Sequence, residues 1–319
     1  MRASRLNAGS LSLHVSSERS LYPETVAELF CNGTPPAPGV GDDAQAEIFF
    51  IENEAAPRSR IAVPPDGMVI LDSPSGKQIH TEALTVEAFL TAMPPRFIVH
   101  VRRPAMAEYE LKVHITVVLF KLLFFLERLA LHAAAVRLHG VVNLFFGAKG
   151  AGKSSTSLYL ARSGGTVLAE DRLVLRRSGG RFLVSGSGER FRVTAKTERH
   201  FFSAPLDAEI RDVGGVLKKE FPVDRFFSAA PHVDFPVDRI FFNRVDAKFA
   251  IRPLSRHEAL LELIRETKAS LRFAGAEDYR TYLDYLRGFA ETTRAFRLEL
   301  SPDLSDLEQL GSFLAADGD

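Results

Sequence analysis

The sequence predicts an α/β fold over residues 106–319, preceded by a small α+β domain over residues 1–105. Three observations carry this. First, a chain of 319 residues with 46% hydrophobic and 25% charged residues has the length for two domains and the composition of a folded protein. Second, residues 1–105 alternate short strand-like runs with turn-rich stretches. Third, a β-prone run, a glycine-rich loop, a helix-spaced segment and an apolar strand ending on two acids fit within about thirty residues, the size of one β-loop-α-β unit.

Taken in order, Leu11–Val15, Ile48–Ile51, Met68–Leu71 and Phe97–Val101 read as strands, separated by turn-rich segments such as 33-GTPPAPGVGDD-43 and 63-VPPDG-67. Residues 106–131 read as one buried helix, because apolar residues dominate over more than four turns without an internal Pro or Gly. Lys112, His114, Lys121, Glu127 and Arg128 interrupt it, too many polar groups for a bilayer span of about 20 residues. In 133-AAAVRLHGVVNLFF-146 two β-prone runs flank Leu138-His139-Gly140, which predicts a hairpin. The segment 153-KSSTSLYLARS-163 follows as a helix ending at Gly164-Gly165, then 166-TVLAEDRLVL-175 as a strand, two acids and a further apolar run. Further on, 181-RFLVSG-186 and 238-DRIFFNRV-245 read as strands, and 255-SRHEALLELIRE-266 and 277-EDYRTYLDYLRGFAE-291 as amphipathic helices, with Ser255 and Glu258 at capping-box spacing. The acidic tail reads as frayed. The pentapeptide FPVDR occurs at 221–225 and 235–239, which is too little to define a repeat.

Charge excludes one class of partner. Forty basic and forty acidic residues leave no net field to attract nucleic acid or an anionic membrane. The single cysteine, Cys31, has no internal disulfide partner, and the N-terminus lacks the apolar run of a signal peptide, so a cytoplasmic location is expected.

The run 147-GAKGAGKS-154 matches G-x-x-x-x-G-K-[ST], a pattern that arises by chance roughly once per hundred chains of this length. Gly147, Gly150 and Gly152 let the backbone curl close to phosphate oxygens, with Ala151 and Ser155 completing the cradle. Lys153 supplies a point charge to the β/γ-phosphates of ATP, and the Ser154 hydroxyl suits Mg²⁺. Lys149 reads as solvent-facing. Glu170 and Asp171 close an apolar strand beside this loop. One of the two would hold Mg²⁺ and the other accept a proton from an attacking hydroxyl; the competing reading is a solvated strand end with Asp171 paired to Arg172. Arg192 and the pair Lys218-Lys219 are further candidate cations for a transferred phosphoryl group or an acceptor.

A histidine before a hairpin, then a phosphate loop, a short helix and a strand ending in two acids resembles the HPr kinase/phosphorylase family. The matching positions are His132, 147-GAKGAGKS-154 and 169-AED-171. The resemblance is strong over about 45 residues and weaker over the rest of 130–310. It implies a phosphoenolpyruvate-carboxykinase-like P-loop kinase domain, with His132 beside the acids and assisting proton handling. Departures limit it: Glu170-Asp171 stands where the family has Asp-Asp, Ser155 replaces a glutamate, and the glycine- and proline-rich segment of the bifunctional enzymes is missing. Phosphorylase activity and HPr as substrate are therefore not expected. The expectation is a divergent kinase using ATP and Mg²⁺ on a serine hydroxyl of a peptide or protein, as in relatives that tailor ribosomally made peptides, with a possible homo-oligomer. In that reading Ser154 and Asp171 hold the metal, while Glu170, aided by His132, takes the proton. A small-molecule kinase acting on free serine or a sugar, and a nucleotide-binding regulatory module, are the rival readings.

Overall fold

A computed structural model describes residues 2–8, 11–17, 19, 21–23, 26, 46–56, 59, 63, 68–74, 76–186, 190–212, 215–230, 233–271 and 276–316. Cys31 and the turn-rich stretch 33–43 lie outside them. The chain divides into two units, 1–130 with 269–279 and 131–268 with 280–319.

The first unit is built on a seven-stranded sheet, ordered β1-β2-β3-β7-β6-β5-β4. Its strands are β1 (Arg2–Ala8), β2 (Leu11–Ser17), β3 (Ala46–Glu52), β4 (Val69–Ser73), β5 (Gly76–His80), β6 (Leu84–Phe89) and β7 (Arg96–Val101). All four strands expected in this region are present. Alternation sets the core face: Ala46, Ile48 and Phe50 on β3 and Phe97, Val99 and Val101 on β7 are buried. Helix α1 (Glu108–Phe125) packs against β6, inside the first unit. The helix is also shorter than the apolar run suggests. Glu127 takes a left-handed backbone (φ 55), which breaks the helix and starts β8 (Arg128–Leu131) with no Gly or Pro to signal it. Within α1 the buried Lys121 rests its ammonium 5.0 and 4.9 Å from the ring centres of Phe124 and Phe125.

In the second unit, β9 (Ala134–Leu138) and β10 (Val141–Phe146) form the expected hairpin. His139 (φ 49) and Gly140 (φ 83) supply the two left-handed residues that a two-residue turn requires. Helix α2 (Lys153–Arg162) follows the glycine loop and ends at Gly164 (φ 90), and β11 (Thr166–Ala169) returns along β9. Next come β12 (Leu173–Ser178), β13 (Arg181–Gly186), β14 (Arg190–Val193), α3 (Ala195–Phe201), β15 (Glu209–Asp212), β16 (Leu217–Pro222), β17 (Phe235–Pro236) and β18 (Arg239–Val245). The chain ends with β19 (Ala250–Pro253), α4 (Arg256–Leu271), α5 (Ala276–Thr292), β20 (Arg294–Leu300) and α6 (Leu307–Ala316). Helix α6 covers part of what reads as a frayed tail.

The central sheet runs β11-β9-β10-β18-β20-β19, with β10, β18 and β20 parallel. Phe145, Phe241 and Phe296 occupy one register row across β10, β18 and β20, and their rings stack at 5.2 and 5.1 Å. This ladder gives the phenylalanine-rich composition a structural purpose. Around it, α2 and α6 contribute Leu158, Leu160, Leu307, Leu310 and Leu314 to the same core.

Helix α4 is tied to the sheet by Glu262. Its buried carboxylate accepts from Arg244 of β18 at 2.8 and 3.0 Å, from Arg297 of β20 at 2.5 Å and from Arg265 at 2.9 and 2.8 Å. Burial alone would raise the Glu262 pKa; the guanidiniums of Arg244, Arg297 and Arg265 outweigh it and hold the group below its usual value. A depressed pKa gives stability that is present above the ordinary carboxylate range and is lost as pH falls through the folded value. Glu262→Gln is therefore expected to cost about 2 to 4 kcal/mol at neutral pH and to flatten the stability loss below pH ~4.5, as read by urea unfolding at several pH values.

Candidate active site

Topology explains how three distant segments meet. Strand β9 lies between β10 and β11 and is antiparallel to both, so the start of β9 and the ends of β10 and β11 share one edge of the sheet. Ala134 pairs with Phe145, and Ala135 is level with both Leu144 and Ala169. His132, the glycine loop and the acids Glu170-Asp171 therefore converge, although 38 positions separate His132 from Glu170 along the chain.

The loop leaves β10 at Gly147 (φ 148) and curls through Gly150 (φ 86) and Gly152 (φ 88) into the first turn of α2. A β-carbon on Gly147 would stand 2.8 Å from the Asn243 carbonyl oxygen and 2.8 Å from the Ala151 side chain. One on Gly152 would meet Leu300 at 2.6 Å, whereas Gly150 faces open space. Two of the three glycines thus answer to close packing as well as to backbone sign.

Lys153 is 8% exposed and donates to the Gly147 carbonyl at 2.5 Å. Burial pushes its pKa down, against the pull of Asp171, Glu266 and Glu170. Glu170 is 4% exposed, accepts from Ser157 Oγ at 2.5 Å and is also hydrogen-bonded by Ser154. Burial, reinforced by the neighbouring Asp171 charge, raises its pKa to about 7, against the hydroxyls of Ser154 and Ser157 and the Lys153 ammonium.

Asp171 behaves oppositely. Burial pushes it up, but the His132 hydrogen bond and charge, with Arg172 and Arg192, hold it at about 2. His132 Nδ1 lies 3.1 Å from Asp171 Oδ1, and Arg192 Nη1 3.6 Å from Oδ2. The side chains of His132 and Asp171 are 55% and 36% exposed. His132 thus engages Asp171, correcting the expectation that it assists Glu170. Glu170 turns inward to Ser154 and Ser157 of α2, and the half-exposed Asp171 turns to His132.

These groups line one cleft of about 600 Å³. Its polar wall comprises His132, loop residues Ala148 to Ser155, Glu170, Asp171, Arg192, Thr194, Lys196, Thr197 and Lys218; Val245, Leu300, Pro302, Leu304 and Leu307 form an apolar end. Gly147 sits at the buried root of the loop. Ser155 Oγ lies 3.3 Å from Thr197 Oγ1, and Lys149 is exposed at the rim. Of the candidate lysine pair only Lys218 lines the cleft. Lys219 is bound to Glu198 at 2.7 Å and to the Leu206 carbonyl at 2.8 Å. Arg192 also holds Glu220 at 2.6 Å.

Sequence reading missed several members. Lys196 reaches across to the Pro302 carbonyl at 2.5 Å, and Thr194 caps α3. Glu266 on α4 is close enough to influence Lys153 electrostatically, and it lines an adjoining cleft of about 580 Å³ behind Ala148 to Ala151. In the sequence Glu266 is one more acid on an amphipathic helix.

The donors fit Mg²⁺. A hydroxyl at Ser154 hydrogen-bonded to a sealed carboxylate at Glu170, with Asp171 alongside, offers the hard oxygens this ion prefers. Among the described residues no three His, Cys, Asp or Glu side chains gather to hold a metal by themselves, so phosphate oxygens and water would complete the shell.

No family model matches the chain, and no curated protein matches it. Among solved structures it is similar to the Hpr(Ser) kinase/phosphatase from Coxiella burnetii, at 11% identity and a TM-score of 0.31, over 59% of this chain and 94% of that chain. A match at that level carries no argument about activity, which rests on the residues of the cleft. Among the described residues no helix is long and apolar enough to cross a membrane.

The glycine geometry makes a ranked prediction. Gly147→Ala should destabilise by about 1 to 3 kcal/mol, through backbone strain and a clash with fixed backbone, and Gly150→Ala by no more than about 1 kcal/mol. Chemical denaturation of both variants checks the order.

Proposed function

We propose that this protein is an ATP- and Mg²⁺-dependent kinase that transfers the γ-phosphoryl group to a serine hydroxyl of a peptide or protein. The observation that supports the reading is the contrast between the adjacent acids at the glycine loop: Glu170 is buried beside Ser154, and Asp171 is half-exposed and paired with His132.

Loop amides and Lys153 bind the β/γ-phosphates, and the apolar end at Val245, Leu300 and Leu307 receives the base. Ser154 and Glu170 would hold Mg²⁺, which supplies charge neutralisation at those phosphates. A general base must reach the proton it takes, and with Glu170 engaged by Ser154, Ser157 and the metal, the more exposed Asp171 is the acid left for an acceptor hydroxyl. As the acceptor oxygen bonds to the γ-phosphorus and the bond to the β–γ bridging oxygen breaks, the hydroxyl proton passes to Asp171, with ADP leaving. A carboxylate held at about pKa 2 is a weak base. It suffices because the transition state is loose, so the proton moves late and positioning is most of the task. His132 orients the carboxylate, and Arg192 and Lys218 face the transferred group. Relative to the reading from sequence, the two acids exchange roles.

Incubation with γ-labelled ATP and candidate serine peptides, with free serine in parallel, tests the proposal. Label on a peptide serine is the expected result; label on free serine alone moves the substrate class to small molecules, and nucleotide binding without any transfer overturns the kinase reading. Within it, Glu170→Gln should weaken Mg²⁺-nucleotide binding about tenfold or more. Asp171→Asn should spare that binding and lower turnover roughly a hundredfold or more, measured by nucleotide titration beside single-turnover transfer.

A further inference from the structure

Glu266 is an acid at the phosphate loop that the proposed reaction leaves without a task. It lines the adjoining cleft of about 580 Å³, together with Ala148 to Ala151, Arg244 and Arg265. The same four loop residues line the active cleft. The loop is therefore a partition of mostly small residues, with the proposed phosphate site on one side and Glu266 on the other.

Helix geometry fixes Glu266 in place. It lies one turn after Glu262 on the same face of α4, and Glu262 is held to the sheet by Arg244 and Arg297. Glu262 also takes Arg265, so both arginines of the adjoining cleft are satisfied. Among the described residues Glu266 itself has neither a hydrogen bond nor an ion pair. Half-burial of such a carboxylate is unfavourable: burial, with the Glu262 charge, raises its pKa against the pull of Lys153, His132 and Arg244.

The attraction to Lys153 is mutual. Burial lowers the Lys153 pKa, and among the charges that oppose this Glu266 stands after Asp171 and ahead of Glu170. The ammonium is turned to the root of the loop, 2.5 Å from the Gly147 carbonyl oxygen and 3.5 Å from that of Ala148. A bound nucleotide would bring its negative charge to this same lysine. The Glu266 charge then acts in two ways of one sign: it repels the β- and γ-phosphates, and it competes with them for the ammonium. Both effects require phosphates at Lys153, and both fade as salt is added.

We infer that Glu266 is a specificity-determining residue set behind the loop, whose negative charge limits the affinity of the site for nucleoside di- and triphosphates. The inference rests on the nucleotide site of the proposed function and not on the identity of the acceptor.

Calorimetric titration of wild type, Glu266→Gln and Glu266→Asp with Mg²⁺-ATP, Mg²⁺-ADP and AMP, at low and high sodium chloride, tests it. Glu266→Gln should bind ATP and ADP about threefold to tenfold more tightly than wild type at low salt, with a smaller gain at high salt and none for AMP. Glu266→Asp keeps the charge and should stay closer to wild type than to Glu266→Gln. A merely structural role predicts the opposite sign, because a disturbed loop binds more weakly. Unaltered or weaker ATP binding by Glu266→Gln overturns the inference, as does equal tightening for AMP, or an aspartate variant that binds as the glutamine variant does. A wild type that binds neither ATP nor ADP overturns the nucleotide reading itself, and the inference with it.

Discussion

Everything at the cleft depends on one register: β9 seated between β10 and β11 and antiparallel to both. Ala134 opposite Phe145 and Ala135 level with Ala169 fix the positions of His132, Gly147 and Glu170 to within the slack of a few backbone bonds. A slip of one residue in β9 would send its side chains to the other face of the sheet and withdraw His132 from Asp171. The two-residue turn at His139-Gly140 and the buried run Ala133 to Val136 hold that register against slippage.

From the same edge follows the contrast between two neighbouring carboxyls. Successive residues leaving a strand point to opposite sides, so Glu170 is buried against Ser154 and Ser157 of α2 while Asp171 turns to His132. Burial raises the first to about 7, while a histidine and two arginines hold the second at about 2. Their surroundings differ as much as their pKa values, and in the proposed reading it is position that assigns them: the buried group beside Ser154 to the metal, the exposed one beside His132 to the acceptor.

Local signals in the sequence account for much of this arrangement. The glycine loop, the hairpin at Leu138-His139-Gly140, the helix after Lys153 and the strand ending at Glu170-Asp171 all carry such signals, and each forms where expected. The capping box also forms, with the Ser255 amide donating to Glu258 Oε2 at 2.9 Å and the Glu258 amide to Ser255 Oγ at 3.3 Å. The features that are not legible in the sequence are non-local. Nothing in it separates Lys218 from Lys219, whose alternation on β16 sends one to the cleft and the other to Glu198. Nothing local ends α1 at Phe125, because the break is a left-handed Glu127. Which acid meets His132 depends on side-chain direction at a strand end. The packing of α4 brings Glu266 to the adjoining cleft, and the β20–α6 connection brings the wall at Leu300 to Leu307 to the active one.

The central claim is that His132 and Asp171 act as one unit on the acceptor's proton. A double-mutant cycle on single-turnover transfer tests it most directly, using His132→Ala, Asp171→Asn and the double variant. The account predicts that the double variant is about as slow as Asp171→Asn alone, since a histidine that works only through Asp171 has nothing left to orient. Losses that multiply, with the double variant slower by the product of the two single effects, would contradict it.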